Sequence, residues 1–244
     1  MKNLLILAGS GEARTLSAAL AKRSDLRVTL SFVTPPRIKH TPNVEIRLGG
    51  FGGADGFVAF LKDAKIDAVI DATHPFATQI AHRTAQICID HGVPHLKIMR
   101  PGWLPDPDDN WISVASAEEA ANEITPDKVV FVASGRQTLP ALSKCGAQLI
   151  CRQIDPPDGP FPFANGEYLQ ATPPFSVADE VNLFKERGVQ MLMVKNAGGA
   201  ASRSKLIAAQ QLGITVLMIE RVPPPNCKIV ETIEEAEVWI NTLI

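Results

Sequence analysis

Short apolar runs alternate with amphipathic stretches along the whole chain. In the first half, five runs have the length of strands: Leu4–Ala8, Arg27–Val33, Val44–Leu48, Ala68–Asp71 and His95–Ile98. Between them, apolar residues recur at helical spacing over Glu12–Arg23, Asp55–Ala64 and Pro75–His91. The pattern breaks at residues 100–110, Arg-Pro-Gly-Trp-Leu-Pro-Asp-Pro-Asp-Asp-Asn, which can continue neither a helix nor a central strand. A domain junction is expected there. The alternation then restarts, with strands at Trp111–Val114, Lys128–Ala133, Gln148–Arg152, Met191–Lys195 and Thr215–Ile219. Helices are predicted over Ala117–Ile124 (with Ser116 as N-cap), from Arg136 to Lys144, and over Val177–Arg187, Ala201–Leu212 and Ile233–Leu243. Thr232 and Glu235 have the spacing of a capping box for the last of these. The Pro- and Gly-rich stretch 155–166 reads as an ordered loop packed by its phenylalanines.

Strands that alternate with helices need crossover connections, so the sheets should be mostly parallel and covered on both faces. The expected fold class is α/β, with two Rossmann-like lobes and a cleft between them, residues 1–100 and 111–244. A length of 244 residues accommodates this.

Composition narrows the function classes. Hydrophobic residues at 45% and charged residues at 20% describe an ordinary soluble globular protein. A net charge of -2 argues against nucleic-acid binding, which calls for a basic excess. No apolar run approaches the ~20 residues of a membrane span, and the apolar N-terminal stretch is too short for a signal peptide. Cys88, Cys145, Cys151 and Cys227 are scattered, without metal-ligand spacing, so incidental thiols in a reducing cytoplasm and no metal site are expected.

The chemistry begins where the first strand ends. Gly9-Ser10-Gly11 follows the apolar run and opens a helix, as in a dinucleotide-binding βαβ unit, where a pyrophosphate rests on the helix N-terminus. Glu12 follows, and the third position of the G-x-G-x-x-G pattern is Arg14, whose guanidinium can reach a phosphate. After the second strand, where an NAD-binding unit carries an acid, the chain has Thr34-Pro-Pro-Arg37-Ile-Lys39. A hydroxyl and cations there suit a 2′-phosphate and favour NADPH. Gly49-Gly50-Phe51-Gly52-Gly53-Ala54-Asp55-Gly56 follows the third strand and reads as a ligand-facing loop or a lid with Phe51 at its tip. His74, in Asp71-Ala-Thr-His-Pro75, stands at the strand edge where open parallel sheets bind ligands. It is the candidate catalytic residue, either orienting a nicotinamide or carrying a proton. In the second half, Ser134-Gly135-Arg136 and Lys195-Asn196-Ala-Gly198-Gly199 each supply amides and a cation for carboxylates or phosphates. Arg100, Arg152, Arg203, Lys205 and Arg221 add to a cation set suited to a polyanionic substrate. Paired Rossmann lobes also serve nucleotide- or sugar-phosphate-binding transferases, which is the alternative reading.

Taken together, Leu7–Arg14, Asp71–Ala77, Arg100-Pro, Ser134–Arg136 and Val194–Ala200 resemble the precorrin-6A reductases of cobalamin biosynthesis over nearly the whole chain. The resemblance implies an NADPH-dependent oxidoreductase that reduces one double bond of a carboxylated tetrapyrrole. It also implies transient contact with neighbouring pathway enzymes.

Overall fold

The computed structural model describes residues 1–35 and 44–243. The chain forms two units: 1–101 together with 223–244, and 102–222.

The first unit is built on strands β1 (Lys2–Ala8), β2 (Leu26–Phe32), β3 (Glu45–Leu48), β4 (Ala68–Ala72) and β5 (His95–Ile98). Helices α1 (Gly11–Leu20), α2 (Gly53–Asp63) and α3 (Thr78–Asp90) connect them. In the second unit, strands β6 (Trp111–Val114), β7 (Val129–Val132), β8 (Gln148–Gln153), β9 (Gly166–Gln170), β10 (Met191–Lys195) and β11 (Thr215–Ile219) alternate with helices α4 (Ala117–Asn122), α5 (Val177–Glu186) and α6 (Ser204–Gln211). Strand β12 (Lys228–Val230) and helix α7 (Ile233–Asn241) end the described chain.

All pairings in the first sheet are parallel, in the order β3-β2-β1-β4-β5-β12. The second runs β9-β8-β7-β10-β11-β6, also parallel. Each is a doubly wound sheet, with its switch point between β1 and β4 or between β7 and β10. Alternate residues of β1 serve opposite faces: Leu4 and Ile6 pack with Leu16 and Leu20 of α1 and Trp239 and Ile240 of α7. Leu5 and Leu7 pack with Phe57 and Leu61 of α2 and Ile87 of α3. Burial on both faces explains why these strands read as continuous apolar runs. The second core gathers Phe131, Leu192, Val194, Val216 and Met218 under Phe184 of α5 and Leu206 of α6.

The expected second lobe, 111–244, is corrected by the last segment. β12 pairs with β5, Met99 N donates to Val230 O, and Ala236, Trp239 and Ile240 join the first unit's core. The sixth place of the first sheet is thus filled from the far end of the chain, and that of the second by β6, the strand that follows the junction. The predicted helix after Ser134-Gly-Arg136 is a 3-10 segment, Arg136–Leu142, because Pro140 lacks an N–H and stops an α-helix. The predicted 201–212 helix is split into a 3-10 turn, Ala200–Ser202, and α6. β9 runs out of the stretch read as a loop, with Phe161 stacked edge-on to Tyr168. The Ser116 cap and the Thr232–Glu235 capping box form as expected. No helix among the described residues is long and apolar enough to cross a membrane.

Candidate active site

At the first switch point the turns after β1 and β4 are tied together. Ser10 Oγ donates to Ala72 O at 2.8 Å and, as N-cap of α1, accepts from Ala13 N at 3.4 Å. A Cβ on Gly9 would lie 3.2 Å from both His74 N and Thr73 Cα, so Gly9 serves close packing of the two turns. A Cβ on Gly11 would meet nothing within 4 Å, which leaves that side of the helix start open for a ligand. Arg14 is exposed on α1.

Glu12 is tied to Arg100, whose Nη1 lies 2.8 Å from both carboxylate oxygens. Burial raises the Glu12 pKa; hydrogen bonds from Arg100, its own backbone and Ser10 more than offset this, and the carboxyl ends below its ordinary value. The pair neutralises a carboxylate that would otherwise repel an anion at the helix start.

Beneath the second turn, Asp71 is fully buried and takes Lys97 Nζ on Oδ2 at 2.9 Å. Its Oδ1 accepts from Thr73 N at 2.9 Å and Thr73 Oγ1 at 2.6 Å. A buried pair, bonded on both carboxylate oxygens, fixes the backbone that carries His74. The sequence signal for Lys97 was a charge inside a strand covered on both faces. Phe76 N donates to His74 Nδ1 at 3.2 Å. Nδ1 therefore presents a lone pair, and the proton of the neutral ring rests on Nε2.

The glycine-rich loop is anchored at Phe51 and Gly56. Phe51 stacks edge-on with Phe57 and Phe60, at centroid distances of 4.8 and 5.2 Å. A Cβ on Gly56 would fall 1.7 Å from Phe51 O, so that glycine admits the loop's carbonyl onto α2. Gly50 and Gly52 remain exposed. Arg47, unremarked in the sequence, holds the loop through Gly49 O and Gly50 O at 2.6 and 2.9 Å. Thr34 is exposed just past β2, whereas Arg37 and Lys39 lie outside the described residues.

In the second unit, the two singled-out turns flank the switch point, with Ala133 N bonded to Met193 O. Gly135, Gly198 and Gly199 have positive φ of 91°, 68° and 85°, backbone that L side chains rarely adopt. Both turns lead into 3-10 segments, whereas the turn after β1 opens the ten-residue α1. The first sheet thus has the stronger helix N-terminus for a pyrophosphate.

Several residues expected to meet a ligand also make contacts within the protein. Asn196, 5% exposed, receives Trp103 N on Oδ1 at 2.7 Å and donates from Nδ2 to Trp103 O and Glu220 Oε2. Its side chain fastens the backbone at Trp103 within the second unit. Ser134 Oγ pairs with Thr138 Oγ1 at 2.7 Å in a buried contact. Of the expected cation set, Arg152 forks onto the buried Glu180 at 2.7 and 2.8 Å, Arg203 meets Asp106, and Arg221 Nε donates to Asn196 O. Lys205 is buried, donating to Ser202 O, and burial lowers its amine to about 8. Arg136 is half exposed and pairs with Asp158 across the surface at 2.5 Å. Lys195 is half-buried, and burial lowers its amine. All four cysteines are unbridged, and burial pushes the Cys88 and Cys151 thiols up to about 12 and about 11.

Two doubly wound parallel sheets, with a Gly-Ser-Gly turn at the first switch point, define an α/β protein of the Rossmann-like class. Residues 3–241 match the model of the family described as precorrin-6x reductase CbiJ/CobK. The chain is 40% identical to a precorrin-6A reductase of Rhodococcus erythropolis, covering 100% of this chain and 99% of that one. It is 26% identical to a cobalt-precorrin-6A reductase of Priestia megaterium, with 95% of each covered. A solved structure of CobK precorrin-6A reductase superposes with a TM-score of 0.92 at 32% identity, covering 100% of this chain and 98% of that one. The chain belongs to the precorrin-6x reductase family. The transferase alternative is not favoured by any of these likenesses.

Proposed function

We propose that the protein reduces one double bond of the precorrin-6A macrocycle in cobalamin biosynthesis, using NADPH. Reductase chemistry on a CH–CH group comes with the family. Higher identity to the precorrin-6A reductase of Rhodococcus erythropolis than to the cobalt-precorrin enzyme of Priestia megaterium supports the cobalt-free substrate. The observation that carries the cofactor assignment is the open, capped start of α1 at Gly11, beside His74 at the switch point.

NADPH, when bound, supplies the hydride. The Gly9–Gly11 turn and the first amides of α1 take the pyrophosphate, with Arg14 as a further cation and the Glu12 charge cancelled by Arg100. Gly50 and Gly52 give backbone access beside β3, and Phe51 supports their loop from within. The exposed Thr34, with Arg37, contributes to accepting a 2′-phosphate, since no acid follows β2 as far as Lys39. His74 acts as a positioning hydrogen-bond donor through Nε2–H. The Phe76 N–H on Nδ1 fixes the ring's orientation and leaves Nε2–H as the donor of the neutral imidazole. The proton added beside the hydride then comes from water. In the second unit, Gly135, Arg136, Lys195, Gly198 and Gly199 take substrate carboxylates, while Ser134 and Asn196 hold those turns in shape. Cytoplasmic location, consistent with four unbridged cysteines, and transient contact with neighbouring pathway enzymes belong to the same reading. Calorimetric titration with NADPH and NADH tests the cofactor assignment: NADPH should bind at least about tenfold tighter, and equal affinity would contradict it.

A further inference from the structure

Arg47 is the last polar residue of β3, placed opposite Ser31 of β2 in the parallel register. Its guanidinium lies 3.7 Å above the centre of the Phe51 ring and 5.1 Å from that of Phe60. Nη1 donates to Gly49 O at 2.6 Å and reaches Ser31 Oγ at 3.4 Å, and Nη2 donates to Gly50 O at 2.9 Å. A guanidinium has five N–H groups, so among the described residues these contacts leave Nε–H and one Nη2–H, which share an edge and form a parallel fork. No carboxylate among the described residues pairs with Arg47, although the chain carries 26 acids to 24 Lys and Arg. Burial without a counter-ion lowers its pKa. An arginine clamped by carbonyls and a ring, with a fork left over, is preorganised for an anion.

Its place says which anion. In a sheet ordered β3-β2-β1-β4-β5, a dinucleotide's pyrophosphate would sit after β1 and its adenosine ribose toward the carboxyl ends of β2 and β3. The exposed apolar residues Val33 and Leu48 stand at those same strand ends and offer apolar surface to an adenine.

We infer that Arg47 recognises the 2′-phosphate of the cofactor, as a specificity-determining residue fixed in place by Phe51 and the Gly49–Gly50 carbonyls. This rests on the NADPH reading above. The fork can grip two phosphate oxygens without rearranging the loop, and NADH, with a 2′-hydroxyl, would leave it ungripped.

The test uses adenosine 2′,5′-bisphosphate and AMP, which differ only in the 2′-phosphate and need no turnover. Each is titrated calorimetrically into the full-length wild type, Arg47→Gln and Arg47→Lys. The wild type should bind the bisphosphate at least about tenfold more tightly than AMP. Arg47→Gln should lose most of that preference while its AMP affinity stays within about twofold. Arg47→Lys keeps the charge and much of the stem but loses the fork, and should fall between them. Full preference retained in either variant overturns the inference. So does equal weakening of both ligands, which would make Arg47 a loop fastener only. If Arg47→Gln does not fold, the Arg47→Lys result decides. A wild type without preference for the bisphosphate would instead overturn the NADPH reading itself.

Discussion

A Cβ placed on Gly9 would stand 3.2 Å from the backbone nitrogen of His74, so the turns after β1 and β4 touch across the missing side chain. Gly11, two residues on, faces open space. The two glycines of one motif therefore do different work. Gly9→Ala should push backbone against backbone and cost about 1 kcal/mol, lowering the melting midpoint by a few degrees. Gly11→Ala, at the first position of α1, should hold or raise the midpoint yet weaken NADPH binding. Thermal unfolding and cofactor titration of both variants separate the roles; the opposite assignment of effects would contradict this account.

For His74, the amide held on Nδ1 points to positioning. His74→Ala should reduce kcat/KM by about fivefold to tenfold, the loss of roughly one hydrogen bond, with the pH profile of turnover unchanged in shape. His74→Gln, which keeps a side-chain N–H, should recover part of the loss. A fall of about 10²–10⁴ with disappearance of an ionisation near neutrality would make His74 the proton donor after all.

Substrate capture is proposed for Arg136, whose exposed guanidinium pairs with Asp158 at the surface, whereas Arg152 and Lys205 are buried. Arg136→Ala should raise the substrate KM by roughly tenfold and leave NADPH affinity nearly intact. Loss of NADPH binding in this variant would assign the cofactor to the second sheet.

Lys205 gives the fold a pH signature. Burial, then the nearby Arg152, lower its amine from 10.5 to about 8, against a smaller opposing effect of Glu180. The unfolded chain thus binds more protons between those values, so stability should rise with pH from about 8 to 10.5 and show the full cost of the buried charge below 8. Lys205→Met should flatten that alkaline rise in the melting midpoint. A slope unchanged by the substitution would show that Lys205 titrates normally.

Much of the fold was legible because local chemistry decides it. β1 ends at Gly9-Ser-Gly11 and is covered on both faces, so its boundary and its parallel neighbours follow from composition. The caps at Ser116 and Thr232 are likewise encoded within four residues. β12 was missed because three residues, Lys228–Val230, carry no period, and only pairing with β5 makes them a strand. The same holds for the site. Gly11 and His74 announce themselves through motif position, whereas the roles of Arg47, Lys97 and Asn196 depend on partners up to 93 residues away. Asn196 reads as a ligand residue from its place in an amide-rich turn, and its bonds to Trp103 are visible only once the chain folds.

The central claim is that this chain moves a hydride from NADPH onto precorrin-6A. Anaerobic incubation of the purified protein with precorrin-6A and NADPH deuterated at the transferable position, read by absorbance and mass spectrometry, tests it directly. The account requires NADPH absorbance to fall in step with a change in the ring chromophore and the product to carry the deuterium. Unchanged NADPH in the presence of intact substrate, or a reduced ring without the label, would contradict it.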